Sequence, residues 1–468
     1  LLACAGATSG CALLGQSEAE KRYGSLVEAP GPLPHAPVVA ALTPESEEEL
    51  AIRRKPSLGV LDCTRLAVIR NEKLRAGAER VHQADLAQLD AAGQLLPTVH
   101  YKYGYFSQDE KVPVSVSKTP NEYRQHQFQF TQPIFHGFRD WLAVAAAEDK
   151  KDESEALLRA DKLDVALDCG RAFYAVVALE RTVETLAHSL ELENTRFAEV
   201  KAREEAGIAR KTERLFIESE RATTVADLAE ARRDLLGARA NLAFYTGMAD
   251  SPLESPGTPP PTPAPVETFL ATVKDRPDVA AVAREVEYQR HQVWIARGEF
   301  LPDIDATANS YAYREGIYQH VGWDFAVNLD WGIFDGFRSV AHTRMAESHV
   351  REAERTYAQA RERAEADVRV AYQALLASLE RIAPLETRVR ASEENVTLLD
   401  TEYKAGIATN LELVEAENTR RQAHLDLEHE LYTARRLELE LRAASGDETL
   451  APSAYPPSPG DPASPGPK

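Results

Sequence analysis

No stretch of this sequence approaches the ~20 consecutive apolar residues that a helix needs to cross a bilayer. Any membrane-spanning part must therefore be a closed β-barrel, the other fold that satisfies every backbone group in lipid. Positive charge is also short: 54 Lys+Arg against 74 Asp+Glu leave a formal charge of −20, which argues against nucleic acid as a partner. Cysteine is scarce. Cys4, Cys11, Cys63 and Cys169 have no C-x-x-C spacing and no histidine cluster beside them, so neither a zinc site nor a disulfide framework is indicated. With two methionines and twelve scattered histidines, nothing argues for a metal site or a metal cargo. The H-E-x-x-H, G-x-S-x-G and P-loop patterns are missing as well. No catalytic residue and no cofactor follow from the sequence.

Proline and glycine are nearly absent from one long stretch. Residues 139–205 contain no proline and one glycine, Gly170, which predicts about 100 Å of continuous helix at 1.5 Å per residue. A helix that long needs coiled-coil-like partners. It ends at Gly207, and a second helix follows to Tyr245.

The same organisation returns 199 residues later. Ile134-Phe135-His136-Gly137-Phe138-Arg139 reappears as Ile333-Phe334-Asp335-Gly336-Phe337-Arg338, and Ala206-Gly207-Ile208-Ala209 as Ala405-Gly406-Ile407-Ala408. The period is too long for a solenoid, whose units run about 20–50 residues. It implies a duplicated, domain-sized module.

The expected boundaries follow. Residues 1–15 read as the remnant of an export signal, with Leu1-Leu2-Ala3-Cys4 resembling a bacterial lipobox and Cys11 a second lipidation candidate. Residues 16–57 read as an extended segment, 58–249 as the first repeat and 250–266 as a proline-rich linker. Residues 267–446 are the second repeat and 447–468 a disordered tail. Each repeat reads as helix, β-hairpin, long helix, glycine tip and returning helix. The first helix is expected over about 58–95, and Pro384 is expected to kink the second long helix.

Two-residue alternation marks the strands. Val99, Tyr101, Tyr103 and Tyr105 point one way, and Phe128 and Phe130 alternate with glutamines. The clearest run is Trp323, Phe325, Val327, Leu329 and Trp331, with Asp324, Ala326, Asn328 and Asp330 between them. One face is apolar and bounded by tryptophans; the other is mostly polar. Eight steps at ~3.3 Å, tilted ~40°, span about 20 Å along the membrane normal, close to the ~25 Å apolar band of a barrel. Two strands per repeat make four per chain, too few to close a membrane barrel, so closure requires an oligomer.

In the second long helix Tyr357, Ala360, Ala364, Val368, Ala371, Leu375, Leu379 and Ile382 follow a three/four spacing that Val389, Val396, Leu399 and Tyr403 continue in steps of three, four or a full heptad, the seam of a close-packed helix pair. Arg351, Glu352, Arg355, Arg361, Glu362 and Arg363 read as a solvated face.

Three segments carry a resemblance to the TolC-like outer membrane efflux protein family. They are Arg276-Pro277-Asp278-Val279 with Ala296-Arg297 and Phe300-Leu301-Pro302, the corner Ile333–Arg338, and the tip from Tyr403-Lys404-Ala405-Gly406 to Glu415-Ala416. The resemblance covers about residues 58–446. It implies a mainly α fold with transmembrane β-structure: a homotrimer whose twelve strands form one barrel, continued by a twelve-helix α-barrel. The place implied is the outer membrane of a Gram-negative bacterium, with a large periplasmic portion. The partners implied are outer-membrane lipid, a periplasmic adaptor and an inner-membrane pump.

By motif alignment, the resemblance places Glu412 and Glu415 at an acidic periplasmic gate, Glu213 in the matching position of the first repeat, and Tyr403 as a tie between helices. Gly207, Ile208, Gly406 and Ile407 fall at the tips that meet the adaptor. Trp323 and Trp331 mark the membrane interfaces, and Gly137 and Gly336 the strand-to-helix corners. The function implied is a passive exit duct of a tripartite efflux or type I secretion system. The alternative is a coiled-coil structural or adhesive envelope protein without a pore.

Overall fold

The computed structural model describes residues 47–107, 122–248, 250–256, 258–315 and 320–451. Cys4 and Cys11 lie outside them. The chain divides into two compact units, residues 1–54 and 55–468. In the first, α1 (Glu47–Arg53) carries an Arg53–Glu49 ion pair at 2.9 Å, so part of the segment expected to be extended is helical.

The second unit follows the duplicated order. The first repeat contains α2 (Val60–Arg70), α3 (Glu72–Gly93), β1 (Thr98–Ser107), β2 (Glu122–His136), α4 (Arg139–Glu205) and α5 (Lys211–Thr246). The second contains α6 (Val266–Thr272), α7 (Pro277–Gly298), β3 (Asp303–Arg314), β4 (Trp323–Asp330), α8 (Arg338–Lys404) and α9 (Asn410–Ala444).

Three boundaries differ from expectation. The helix expected over 58–95 is two helices, because Asn71 takes an extended conformation and its side chain accepts from the Lys73 amide at 2.8 Å. The linker is pinned by Leu253 pairing with Leu58 and by Ser255 bonded to Tyr432 at 2.7 Å. The first residues of the expected tail form a 3₁₀ turn, Glu448–Leu450, with Leu450 buried. The long helix α8 runs through Pro384 as one element.

The helices pack as their patterns dictate. Ala364, Val368, Leu375, Ile382, Val389 and Val396 of the α8 seam are buried. Val368 and Leu375 join Val273, Val279 and Leu441 in one cluster flanked by Phe269 and Tyr372. Full burial of one such aliphatic side chain contributes about 1.5–3 kcal/mol. Arg351, Glu352, Arg355, Arg361, Glu362 and Arg363 are exposed, as a solvated face should be. Cys63 and Cys169 are fully buried, and burial pushes the Cys63 thiol up to about 12. Among the described residues no helix is long and apolar enough to cross a membrane.

The strands form one antiparallel sheet in the order β1-β2-β3-β4, so the central β2–β3 pairing joins the two repeats. Its register puts the apolar positions of all four strands on one side. Val99 faces Phe130, Phe130 faces Ala308, and Ala308 faces Phe325. One step along, Tyr101, Phe128, Ser310 and Trp323 form the next row. The other side carries rows such as His100, Gln129, Asn309 and Asp324. The apolar side is uncovered: Trp323 is 72 % exposed, Phe325 60 % and Leu329 62 %. Trp331 lies just beyond β4, and its indole N–H donates to the Phe300 carbonyl at 3.1 Å. Strands β1 and β4 are edges, each with one row of backbone groups that pairs with no other strand among the described residues.

Strand becomes helix at the two corners. Gly137 and Phe138 have φ of +59° and +64°, and Gly336 and Phe337 have +72° and +67°. Two consecutive left-handed residues turn the chain sharply, and the second is a phenylalanine, a conformation that is costly without glycine. A Cβ on Gly137 would also stand 2.3 Å from the Gly298 carbonyl oxygen, whereas the space around Gly336 is open. Asp335 holds its corner by accepting from the Arg338 and Ser339 amides at 3.1 and 2.7 Å. The Ser339 hydroxyl, followed by those amides, keeps its carboxyl below the usual range. In the first repeat His136 stands in that place and contacts Asp140 at 2.8 Å and Asp305 at 3.1 Å.

Candidate functional site

At the end of the unit opposite the strands along each long helix, the two helix-turn-helix tips have the same wiring. The Ile208 and Ala209 amides both donate to the Arg203 carbonyl, at 2.8 and 3.1 Å; the Ile407 and Ala408 amides donate to that of Glu402, at 2.8 and 3.3 Å. Gly207 and Gly406 both sit at φ +75°, the left-handed residue that ends a helix while satisfying its last carbonyls. Each tip then presents an isoleucine to solvent, Ile208 at 70 % and Ile407 at 77 % exposure.

The tips differ in their charged residues. Tyr403 accepts a 2.7 Å hydrogen bond from the Arg203 guanidinium, which lies 5.1 Å from its ring centroid; Arg196 lies 5.6 Å from the same ring. This bond joins α8 to α4, across the boundary between repeats. Glu204, the first-repeat counterpart of Tyr403, pairs with Arg214 at 2.7 Å inside its own hairpin.

Behind the tips lies a polar layer that sequence reasoning missed. Arg196 on α4 reaches Glu417 on α9 at 3.0 Å and Asp400 on α8 at 3.6 Å. Arg421 on α9 reaches Glu193 on α4 and the Thr224 hydroxyl on α5, at 2.7 and 2.8 Å. Asn418 donates to Glu220 at 3.0 Å. Glu193, Arg196, Glu220, Glu417, Asn418 and Arg421 line a cleft between the hairpins, beside the apolar contact of Val414 with Val200 and Ile217. Burial opposes the charge on Arg196, but Glu417, Glu199 and Asp400 outweigh it and raise its pKa. Burial dominates at Glu193 and raises its carboxyl above the usual range, against the bonds from Thr224 and Arg421. The Glu193 Oε2 atom is buried without a hydrogen-bond partner among the described residues.

Glu412 and Glu213 have a local task. The Thr409 amide and hydroxyl donate to the Glu412 carboxylate at 2.7 and 2.8 Å, and the Glu412 amide donates back to the hydroxyl at 3.3 Å. This reciprocal capping box starts α9. The Thr409 amide is the main reason that the Glu412 carboxyl is held below its usual range. Glu213 takes the Arg210 amide at 3.4 Å in the equivalent position. Thr409-Asn410-Leu411-Glu412 already has the S/T-x-x-E form, so this role was readable in the sequence. Glu415 is exposed one turn further along α9.

Paired long helical hairpins are thus joined through left-handed corners to a four-stranded sheet with a bare apolar face. The family model described as outer membrane efflux protein matches residues 64–248 and 271–447, and the chain belongs to that family. The chain is similar to the outer membrane efflux protein BepC of Brucella suis, 23% identical over 314 residues, covering 65% of this chain and 69% of that one. Its fold matches the outer membrane protein VceC of Vibrio cholerae with a TM-score of 0.72 at 20% identity, over 83% of this chain and 96% of that one. It matches the CmeC outer membrane channel of Campylobacter jejuni with a TM-score of 0.73 at 15% identity, over 83% and 85%. The protein is thus an outer-membrane efflux protein of the TolC-like type.

Proposed function

We propose that three copies of this chain form the exit duct of a tripartite efflux or secretion assembly, a passive conduit that performs no chemistry of its own. The observation that carries this reading is the sheet. Its apolar side is exposed and, among the described residues, its two outer edges pair with no other strand, which lipid and neighbouring copies would satisfy together. Joined through the corners, the long helices continue the wall as a tube into the periplasm. A coiled-coil envelope protein without a pore would need no such sheet.

Tyr403, Glu412, Glu415 and Glu213 then lie around the narrow periplasmic end. Three exposed Glu415 carboxylates, with those of Glu412 beside them, would favour cations at the constriction. The exposed Ile208 and Ile407 at the twin glycine turns offer small apolar knobs for an adaptor driven by an inner-membrane pump.

The test is purification from outer membranes, followed by mass measurement and planar-bilayer recording. A heat-modifiable, conducting trimer is expected. A soluble periplasmic monomer would overturn the proposal. For the gate, the double variant Glu412→Gln with Glu415→Gln should reduce cation preference; unchanged ion selectivity removes these residues from the constriction.

A further inference from the structure

The two long helices have unequal company close to the sheet. Helix α4 packs against its own α3 on one side and against α7 on the other. Helix α8 packs against α7, and among the described residues no element takes the place on it that α7 takes on α4. The side of α4 that meets α7 carries Asp149, bonded to His291 at 2.6 Å, with Ala146 and Ala156 one and two turns away on the same face. All three are buried. One repeat period on, their counterparts Met345, Ser348 and Arg355 are all exposed, Met345 at 55 %.

Helix α3 has a matching bare side. It aligns with α7 through Leu96-Pro97 and Leu301-Pro302, which puts Glu79, Arg80 and Leu86 where α7 has Arg284, Glu285 and His291. Leu86 is 49 % exposed, Arg80 is exposed with Asp161 at 3.9 Å, and Glu79 is half-buried. Glu79 and Arg351 have no ion-pair partner among the described residues.

The charges on these two bare sides are complementary, with their signs exchanged relative to the covered seam. Between α4 and α7, Arg284 on α7 reaches Asp152 on α4 at 3.3 Å. Glu285 on α7 shares Lys150 on α4 with Glu153. At the corresponding places α3 offers Glu79 and Arg80, while α8 offers Arg351 for Asp152 and Glu352 for Glu153. His349 stands where α4 has Lys150 and lies 3.5 Å from Glu352.

The exchange matters most for wrong partners. Were α3 of another copy to take the place of α7 on α4, Glu79 would face Asp152 and Arg80 would face Lys150. Were α7 of another copy to take the bare side of α8, Arg284 would face Arg351. An exposed ion pair adds little strength, but like charges brought together across a seam reject the partner that carries them.

We propose that α8 of one copy docks on α3 of the next through Glu79–Arg351 and Arg80–Glu352, with Leu86 and Met345 supplying apolar contact, and that the exchanged signs let each seam accept only its own helix. The inference rests on the duct reading above, from which it takes the ring of copies.

Trimers purified from outer membranes provide the test. E79R and R351E alone should each lower the temperature at which the trimer dissociates on a gel, and E79R with R351E together should recover it. A double variant no more stable than the weaker single one overturns the proposal. Cysteines supply a second measurement, which does not depend on the charge-reversed variants assembling. E79C with R351C, treated with a reducible bis-methanethiosulfonate linker, should yield linked dimers and trimers on non-reducing gels, and the single-cysteine controls only monomers. Monomers alone from the paired variant overturn the proposal while leaving the duct intact. An unmodified protein that forms no trimer sinks the duct reading, and this inference with it.

Discussion

Arg203 donates to the hydroxyl of Tyr403 at 2.7 Å, although the duplication makes neither the equivalent of the other: Arg203 corresponds to Glu402, and Tyr403 to Glu204. The bond is therefore a product of divergence between the repeats. Tyr403→Phe keeps the ring beside both guanidiniums but removes the acceptor, at a cost of about 1.5–3 kcal/mol for a bond to a charged group. Thermal unfolding of the protein should show a small loss, and Tyr403→Ala a larger one because the cation–π contacts go too. Equal effects of the two variants would mean that the hydroxyl carries all of the interaction.

The two corners should tolerate a side chain unequally. Gly137→Ala and Gly336→Ala each place a methyl group on a left-handed residue, a strain of about 1–2 kcal/mol. Only at Gly137 does the new Cβ also meet a backbone oxygen, at 2.3 Å. Yield of assembled protein in the outer membrane should fall more for Gly137→Ala. Equal yields would show that the corner relaxes around the contact.

Sheet polarity can be read with neighbouring substitutions on β4. Val327 lies on the apolar side opposite Ala306, and Asn328 on the other side opposite Asp305. Val327→Arg should cost about 2–4 kcal/mol near the middle of the membrane and deplete the heat-modifiable species. Asn328→Arg, beside an acid, should leave it intact. The reverse result would turn the sheet inside out.

Acid should loosen the second tip. The Glu412 carboxyl is held below its usual range by the Thr409 amide, so the folded tip binds its proton less readily than the unfolded chain does. The cap's contribution is therefore complete above the ordinary glutamate pKa of about 4.3, and is lost as pH falls through the depressed value. Amide exchange at the start of α9, corrected for its intrinsic pH dependence, should quicken over that window. Glu412→Gln should remove the change. A Gln variant with the same pH response would place the titrating group elsewhere.

Much of this fold is legible in the sequence because its signals are local or duplicated. The Trp323–Trp331 alternation, the absence of proline over 139–205 and the twin Ala-Gly-Ile-Ala turns each specify an element without reference to distant residues. The break at Asn71 was hidden because apolar periodicity continues across it; one extended residue, capped by its own side chain, interrupts the helix without disturbing the stripe. The polar seam was hidden for another reason. Arg196 and Glu417 are 221 residues apart, and on helices crowded with Arg and Glu nothing local singles out the pair that will be buried. Glu412 shows a third case, in which a family motif drew attention to a pore role while the capping box three residues back was equally visible.

The β2–β3 pairing has a consequence for the order in which the protein is made. Each outer hairpin closes a short loop, but His136 must find Asp303 across the whole of α4, α5, the linker and α7. Loop-closure entropy makes such a pairing slow until something else brings the strands together. The packing of α7 along α4 does so, because it delivers Phe300-Leu301-Pro302 beside the Gly137 corner with β3 next to β2. In the duct proposed above, the packed helices would then act as a template on which the four strands meet.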